Sequence, residues 1–205
     1  MKKEQLDSGG KKITVFSSHA KKPLAAVVYL HGIRGTPKEL SMMKKDLEKK
    51  CDVCFFDFDY KHIKKILPIL KKFLKQKPGG IPLVIAGLSI GGACAIILGK
   101  QCDADLVVPI NSFYSRAMLF KEKNLGKCDF DLKPAKYLKD IKRMEIICSK
   151  NDEKIPNRHS ILLFDEFRGK KEIHILENTE HACKEKTAQR KIAEIIIGSC
   201  RALRR

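Results

Sequence analysis

The sequence has no apolar run of about 18 residues, and that absence excludes a membrane-spanning helix. Its first ten residues, Met1 to Gly10, carry lysines and acids but no apolar core of the kind a secretory signal needs. A cytoplasmic protein is therefore expected. Arginine is scarce: of 42 basic residues, 9 are Arg and 33 are Lys, against 24 acids. Proteins that read bases lean on bidentate Arg, and no zinc-finger, RNA-recognition or helix-turn-helix pattern is present. The lysines are spread along helical stretches rather than gathered in one arm. The net charge of +18 thus reads as solvated helix faces, with no specific nucleic-acid partner. A weak attraction to acidic substrates or anionic membrane surfaces is the remaining electrostatic reading. Internal repeats and low-complexity linkers are also missing, so residues 1–205 are expected to form a single domain.

Eight cysteines are present, at positions 51, 54, 94, 102, 128, 148, 183 and 200. A chain of this length with 43% hydrophobic residues can build a core without a disulfide framework. Cys51 and Cys54 have C-x-x-C spacing, but they lead directly into Phe55 and Phe56 and read as the start of a strand. No second pair completes a zinc site. Free thiols are expected, with Cys183 in a packing role, and neither a metal nor an organic cofactor is expected.

What is present centres on Gly87-Leu88-Ser89-Ile90-Gly91, a G-x-S-x-G pentapeptide. The apolar run before it reads as a buried strand, and the Ala/Ile/Leu-rich run after it as a helix. A Ser at such a junction must turn sharply, and small flanking residues permit the turn. The turn lifts the hydroxyl to where a base can reach it. Serine needs that base, and the base needs a carboxylate to fix its tautomer. Asp152 follows the apolar run 144–148, and His181 follows the strand-like run 173–176. The order is Ser, Asp, His, each just beyond the carboxyl end of a strand, the edge where open α/β sheets place their sites. A fourth element, His31-Gly32-Ile33-Arg34-Gly35, closes an early strand over residues 25–30. Its backbone at Ile33, with the Ile90 N–H, would bind an oxyanion.

On these motifs the chain resembles the α/β-hydrolase family, over nearly its whole length. It looks closest to small serine esterases and lipases and to peptidase-like members with little cap. The resemblance implies a three-layer sandwich, a mostly parallel sheet with helices on both faces. It implies Ser89 as nucleophile, Asp152 as acid, His181 as base, and Ile33 and Ile90 as the oxyanion hole. The acid loop, Lys150-Asn151-Asp152-Glu153-Lys154-Ile155-Pro156, departs from the family pattern in having Ser149 or Lys150 where a Gly is common. The function implied is hydrolysis of carboxylic esters through an acyl-enzyme. A peptidase, amidase or thioesterase would use the same triad, and a non-catalytic binder with a basic surface would be expected to lack one of its members.

The periodicity predicts strands at 13–16, 25–30, 53–58, 83–86, 106–110, 144–148 and 173–176. Helices are predicted at 37–50, with Thr36 as cap and Pro37 at the first position, at 62–76, interrupted or kinked near Pro68, and at 91–100, 157–167 and 182–203. Residues 111–141 read as one long irregular stretch, a short lid. Within it Phe113, Tyr114 and Met118, beside Leu119 and Phe120, form an apolar patch that either packs on the core or lines an acyl pocket, and the first three are candidate substrate-binding residues. Among other histidines, His31 is expected to be structural and His174 to sit in a strand, with His19, His62 and His159 on the surface. Glu153 and Glu180 are the rival acids. Asp57 and Asp59 are expected to hold nearby loops.

Overall fold

The computed structural model describes residues 2–8, 11–33, 35, 40–76, 80–125 and 132–204. Thr36, Pro37 and Cys128 lie outside these residues, so the cap predicted at 36–37 is not addressed. One sheet of eight strands organises the chain, in the order β1-β2-β4-β3-β5-β6-β7-β8. The strands are β1 (Lys2–Ser8), β2 (Lys11–Ser18), β3 (Ala26–Leu30), β4 (Asp52–Asp57), β5 (Leu83–Leu88), β6 (Leu106–Ile110), β7 (Arg143–Ser149) and β8 (Lys170–Leu176). β3 to β8 run parallel, while β1 and β2 are antiparallel additions at one edge. The sequence reading missed β1. A strand written Lys-Lys-Glu-Gln-Leu-Asp-Ser has almost no apolar alternation, as suits an exposed edge that must resist pairing with other chains.

Two-residue alternation sorts the strand side chains into two cores. Val28, Leu30, Cys54 and Phe56 face one way, against helices α2 (Ile63–Lys75), α3 (Ile90–Gln101) and α5 (Arg158–Glu166). Val27, Tyr29, Val53 and Phe55 face the other, against α1 (Ser41–Glu48) and α6 (Lys186–Ala202). The result is the expected three-layer sandwich. Cys51 and Cys54 belong to opposite cores, so strand geometry parts them and they cannot share a metal. Cys51 instead shares the second core with Cys200 of α6. All seven described cysteines are unbridged.

Two predictions need correction. The second helix is not interrupted at Pro68: α2 runs from Ile63 to Lys75 with the proline inside it, its apolar face (Ile63, Ile66, Leu70, Leu74) buried against the sheet. The stretch 111–141 is not wholly irregular. It contains α4 (Arg116–Glu122), capped by the Ser115 hydroxyl accepting from the Met118 N–H, and a 3₁₀ turn at Pro134–Tyr137. A seven-residue helix is too short for the period to declare itself in the sequence.

Candidate active site

Ser89 sits between β5 and α3 with φ 59° and ψ −121°, a conformation that non-glycine residues rarely hold and that costs free energy. The surroundings over-determine it. The Ser89 N–H donates to the Ile110 carbonyl at 2.8 Å, and the Ser112 hydroxyl donates to the Ser89 carbonyl at 3.0 Å. Crowding explains the flanking glycines. A Cβ on Gly91 would stand 2.2 Å from the Leu30 carbonyl oxygen, and one on Gly87 would stand 2.3 Å from that of Gly91. α3 can therefore start hard against the end of β3 only if these positions are bare.

Asp152 and His181 meet. The His181 Nδ1–H donates to Asp152 Oδ2 at 2.7 Å, with the carboxylate 1% exposed and the ring 13%. The second oxygen, Oδ1, accepts the N–H groups of Lys154 and Ile155 at 2.9 and 2.8 Å. The carboxylate thus bends its own loop while holding the ring. With Nδ1 donating, Nε2 keeps its lone pair, the tautomer a general base requires. Ser89 and His181 both line one cavity of about 640 Å³, together with Gly32, Ile33, Ile90 and Phe113. The Gly35 N–H donates to the Gly32 carbonyl at 3.0 Å, closing a tight turn around Ile33. A Cβ on Gly32 would lie 3.5 Å from that of Ser89, so this turn packs directly on the serine.

No protein-family model matches the chain, and no curated protein does. Solved structures do. The esterase domain of a Rhodothermus marinus protein superposes with TM-score 0.78 at 14% identity, over 98% of each chain. Est1E from Butyrivibrio proteoclasticus gives 0.73 at 14% identity, over 98% of this chain and 96% of its own. MGS-MChE2, an alpha/beta hydrolase from a lagoon-sediment metagenome, gives 0.71 at 18% identity, over 96% and 98%. The chain has the α/β-hydrolase fold. At these identities the likeness concerns the fold, and the site rests on its own geometry.

Within this α/β-hydrolase fold, several supporting residues escaped the sequence reading. Asn111, at the end of β6 with φ 45°, is 2% exposed. Its Nδ2 donates to the Ser149 hydroxyl and to the His181 carbonyl, each at 2.8 Å, and its Oδ1 accepts the Ser149 N–H at 2.6 Å. The Ser149 hydroxyl in turn donates to the Glu180 carbonyl. Asn111 therefore fastens the base loop to the ends of two strands, and Cys183 fills the same pocket, its thiol pushed up to about 12 by burial. Ser149, one of the two positions where the resemblance led to a Gly being expected, contributes this network. On the other side His31 is buried, its Nδ1 donating to the Gly32 carbonyl at 2.7 Å. The Tyr60 hydroxyl donates to the His31 carbonyl, and the rings of Phe58 and Tyr60 enclose the imidazole. The only sequence signal for Asn111 was a polar residue after an apolar strand, and for Tyr60 an aromatic in a polar loop.

The substrate-binding candidates divide. Phe113 lines the cavity; Tyr114 and Met118 do not. The Tyr114 hydroxyl donates to Glu166 and its N–H to His159 Nδ1, while Met118 serves through its capped N–H. Leu119 and Phe120, the other apolar residues of that stretch, do line it, and so do Arg116 and Lys123, which the sequence reading did not name. Their spacing of three, four and seven is one face of α4, visible only once the segment is known to be helical. His159, expected at the surface, is fully buried, with Nε2 3.1 Å from Glu122, and burial holds its pKa below the usual value. Of the rival acids, Glu153 lines the cavity and Glu180 offers its carbonyl to the Ser149 hydroxyl, while the carboxylate bonded to His181 is that of Asp152. Asp59 caps its own turn through the Lys61 N–H, as expected of a loop holder. Among the described residues one cluster could ligate a metal, Glu145, Glu172 and His174. Glu145 is already bonded by Arg143, His174 and Ser199, at 2.5, 2.7 and 2.9 Å, which ties β7 and β8 to α6.

Proposed function

We propose that the protein is a serine hydrolase cleaving carboxylic esters of short or medium acyl chain. The observation that carries this reading is the His181–Asp152 hydrogen bond, its tautomer set, on the wall of the cavity that also exposes the strained Ser89. His181 Nε2 takes the Ser89 hydroxyl proton as Oγ attacks the acyl carbonyl, whose electron pair moves onto oxygen. The N–H groups of Ile33 and Ile90 bear that oxyanion; the Ile90 N–H, opening α3, has no intrahelical acceptor. Collapse expels the alcohol oxygen, which His181 protonates, and the acyl group remains on Ser89. Water then gives a proton to His181 as it attacks the acyl carbonyl, the Ser89 Oγ–acyl bond breaks, His181 returns the proton to Oγ, and the carboxylic acid leaves. The short α4 with no large cap leaves the cavity open, which favours small acyl groups.

The test is labelling with a fluorescent fluorophosphonate, wild type beside Ser89→Ala, followed by p-nitrophenyl esters from butyrate to palmitate. Wild-type labelling that vanishes in the variant is expected, with butyrate turned over faster than palmitate. Asp152→Asn should lower kcat by about 10²–10⁴ through loss of the tautomer lock. A folded wild type that takes no label sinks the reading. Labelling with turnover of amides or thioesters but not of oxygen esters would assign the triad to those bonds instead.

A further inference from the structure

A backbone donor is only as well aimed as the peptide plane that carries it. In a trans peptide the N–H points opposite to the C=O of the same unit, so the partners of that carbonyl set the direction of the donor. The Ile33 N–H shares its peptide with the Gly32 carbonyl, which is held twice, by the His31 Nδ1–H at 2.7 Å and by the Gly35 N–H at 3.0 Å. Because a carbonyl can only accept, the imidazole proton is on Nδ1, which leaves Nε2 to accept the Phe58 N–H at 3.5 Å. The preceding peptide is fastened as well, since the Tyr60 hydroxyl donates to the His31 carbonyl. The Tyr60 ring stands edge-on to the imidazole with centres 5.2 Å apart, and the Phe58 ring flanks both, 5.3 Å from the imidazole and 4.7 Å from Tyr60. Burial pushes the pKa of the Tyr60 hydroxyl well above its ordinary value, so the group stays a donor. The same His31 carbonyl lies against the first turn of α3, 2.4 Å from where a Cβ on Gly91 would stand. The turn carrying Ile33 and the helix start carrying Ile90 are thus seated on one another, and the side chain that pins them comes from the segment after β4.

We propose that Tyr60, acting through His31, is a positioning residue for the oxyanion hole: the pair keeps the Gly32–Ile33 peptide turned so that its N–H, and not its carbonyl, faces the reacting acyl oxygen. The inference rests on the serine-hydrolase reading. A peptide turned the other way would set a carbonyl oxygen beside the developing negative charge, and the stabilisation that a preorganised donor gives would become repulsion. Neither the His31 nor the Tyr60 side chain lines the cavity, so their effect falls on the transition state rather than on substrate packing.

The experiment measures kcat and KM for p-nitrophenyl butyrate, together with inhibition by butylboronic acid, whose tetrahedral adduct with Ser89 presents a boron-bound oxygen to the hole. Tyr60→Phe, which removes a single oxygen, should lower kcat by about tenfold. His31→Leu should lower it by about 10²–10³, the loss that follows removal of one oxyanion donor. In both, KM and the pH profile of kcat/KM should stay as in wild type, because substrate packing and His181 are untouched. The boronate should bind more weakly in proportion to the fall in kcat. His31→Asn keeps an N–H near the place of Nδ1 and should recover most of the loss. Unchanged kcat in Tyr60→Phe overturns the proposal and leaves the hydrolase reading intact. So does a fall in kcat with undiminished boronate affinity, which would make the two side chains packing groups only. Where His31→Leu does not fold, Tyr60→Phe decides alone. A wild type that neither hydrolyses the ester nor takes the fluorophosphonate label overturns both.

Discussion

At the scale of single residues, Ser89 carries the clearest signature of function, because its backbone holds a conformation that packing alone gives no reason to keep. Residues in sparsely populated regions cost about 1–3 kcal/mol and persist where surrounding contacts enforce them. Here the enforcing contacts are the bonds to Ile110 and Ser112 and the bare glycines on either side. Replacing Ser89 by Gly should therefore raise the unfolding free energy by about 1 kcal/mol relative to Ser89→Ala, read from urea melts of the two variants. Equal midpoints would mean the site stores no strain. Ser89, Asp152 and His181 were legible as candidates because each follows an apolar run in the right order. Asn111 and Tyr60 were not, since their partners are carbonyls of residues 181 and 31, and backbone acceptors leave no trace in a sequence.

Among the elements, two helical glycines should respond in opposite senses to the same substitution. Gly91 faces the end of β3, and Gly91→Ala would drive a methyl group into the Leu30 and His31 carbonyls. A loss of about 3 kcal/mol is expected, as for an overpacked core. Gly198 lies on the exposed side of α6 with nothing within 4 Å of a Cβ. Gly198→Ala should gain about 0.5–1 kcal/mol from helix propensity. Thermal melts of the pair check this, and a neutral Gly91→Ala would mean that α3 can slide on the sheet. The helices that pack as long amphipathic stripes, such as α2, were readable from their period. α4 was not, being seven residues long, so Tyr114 and Met118 were grouped with Phe113, Leu119 and Phe120 in one apolar patch.

For the whole molecule, two buried networks should set its tolerance of acid. His159 takes an N–H bond from Tyr114 on Nδ1 and faces Glu122, with Arg158 nearby. Burial lowers its folded pKa below 6.5, so the unfolded chain binds the proton first. The stability it contributes is complete above about pH 6.5 and is lost as pH falls towards the folded value. Burial alone would raise the pKa of Glu145, but bonds from His174, Arg143 and Ser199 outweigh it and hold it below 4.5. Its contribution is complete above 4.5 and declines below it. The melting temperature should thus fall in two stages on acidification, and His159→Gln should flatten the upper stage alone. A variant whose melting profile between pH 7 and 5 matches wild type would remove His159 from the account.

The sequence by itself determined most of the strand and helix alternation, the sandwich and the three candidate residues Ser89, Asp152 and His181. All of these rest on local pattern: period two, period 3.6, and small residues about a sharp turn. The tertiary structure alone decided which side chains line the cavity, which polar groups hold the base loop, and that His159 is buried. Those outcomes depend on contacts between residues tens of positions apart, such as Asn111 with His181 and Tyr114 with His159. Such pairings form only when the sheet brings the ends of β6, β7 and β8 to one edge, and no single segment encodes that meeting.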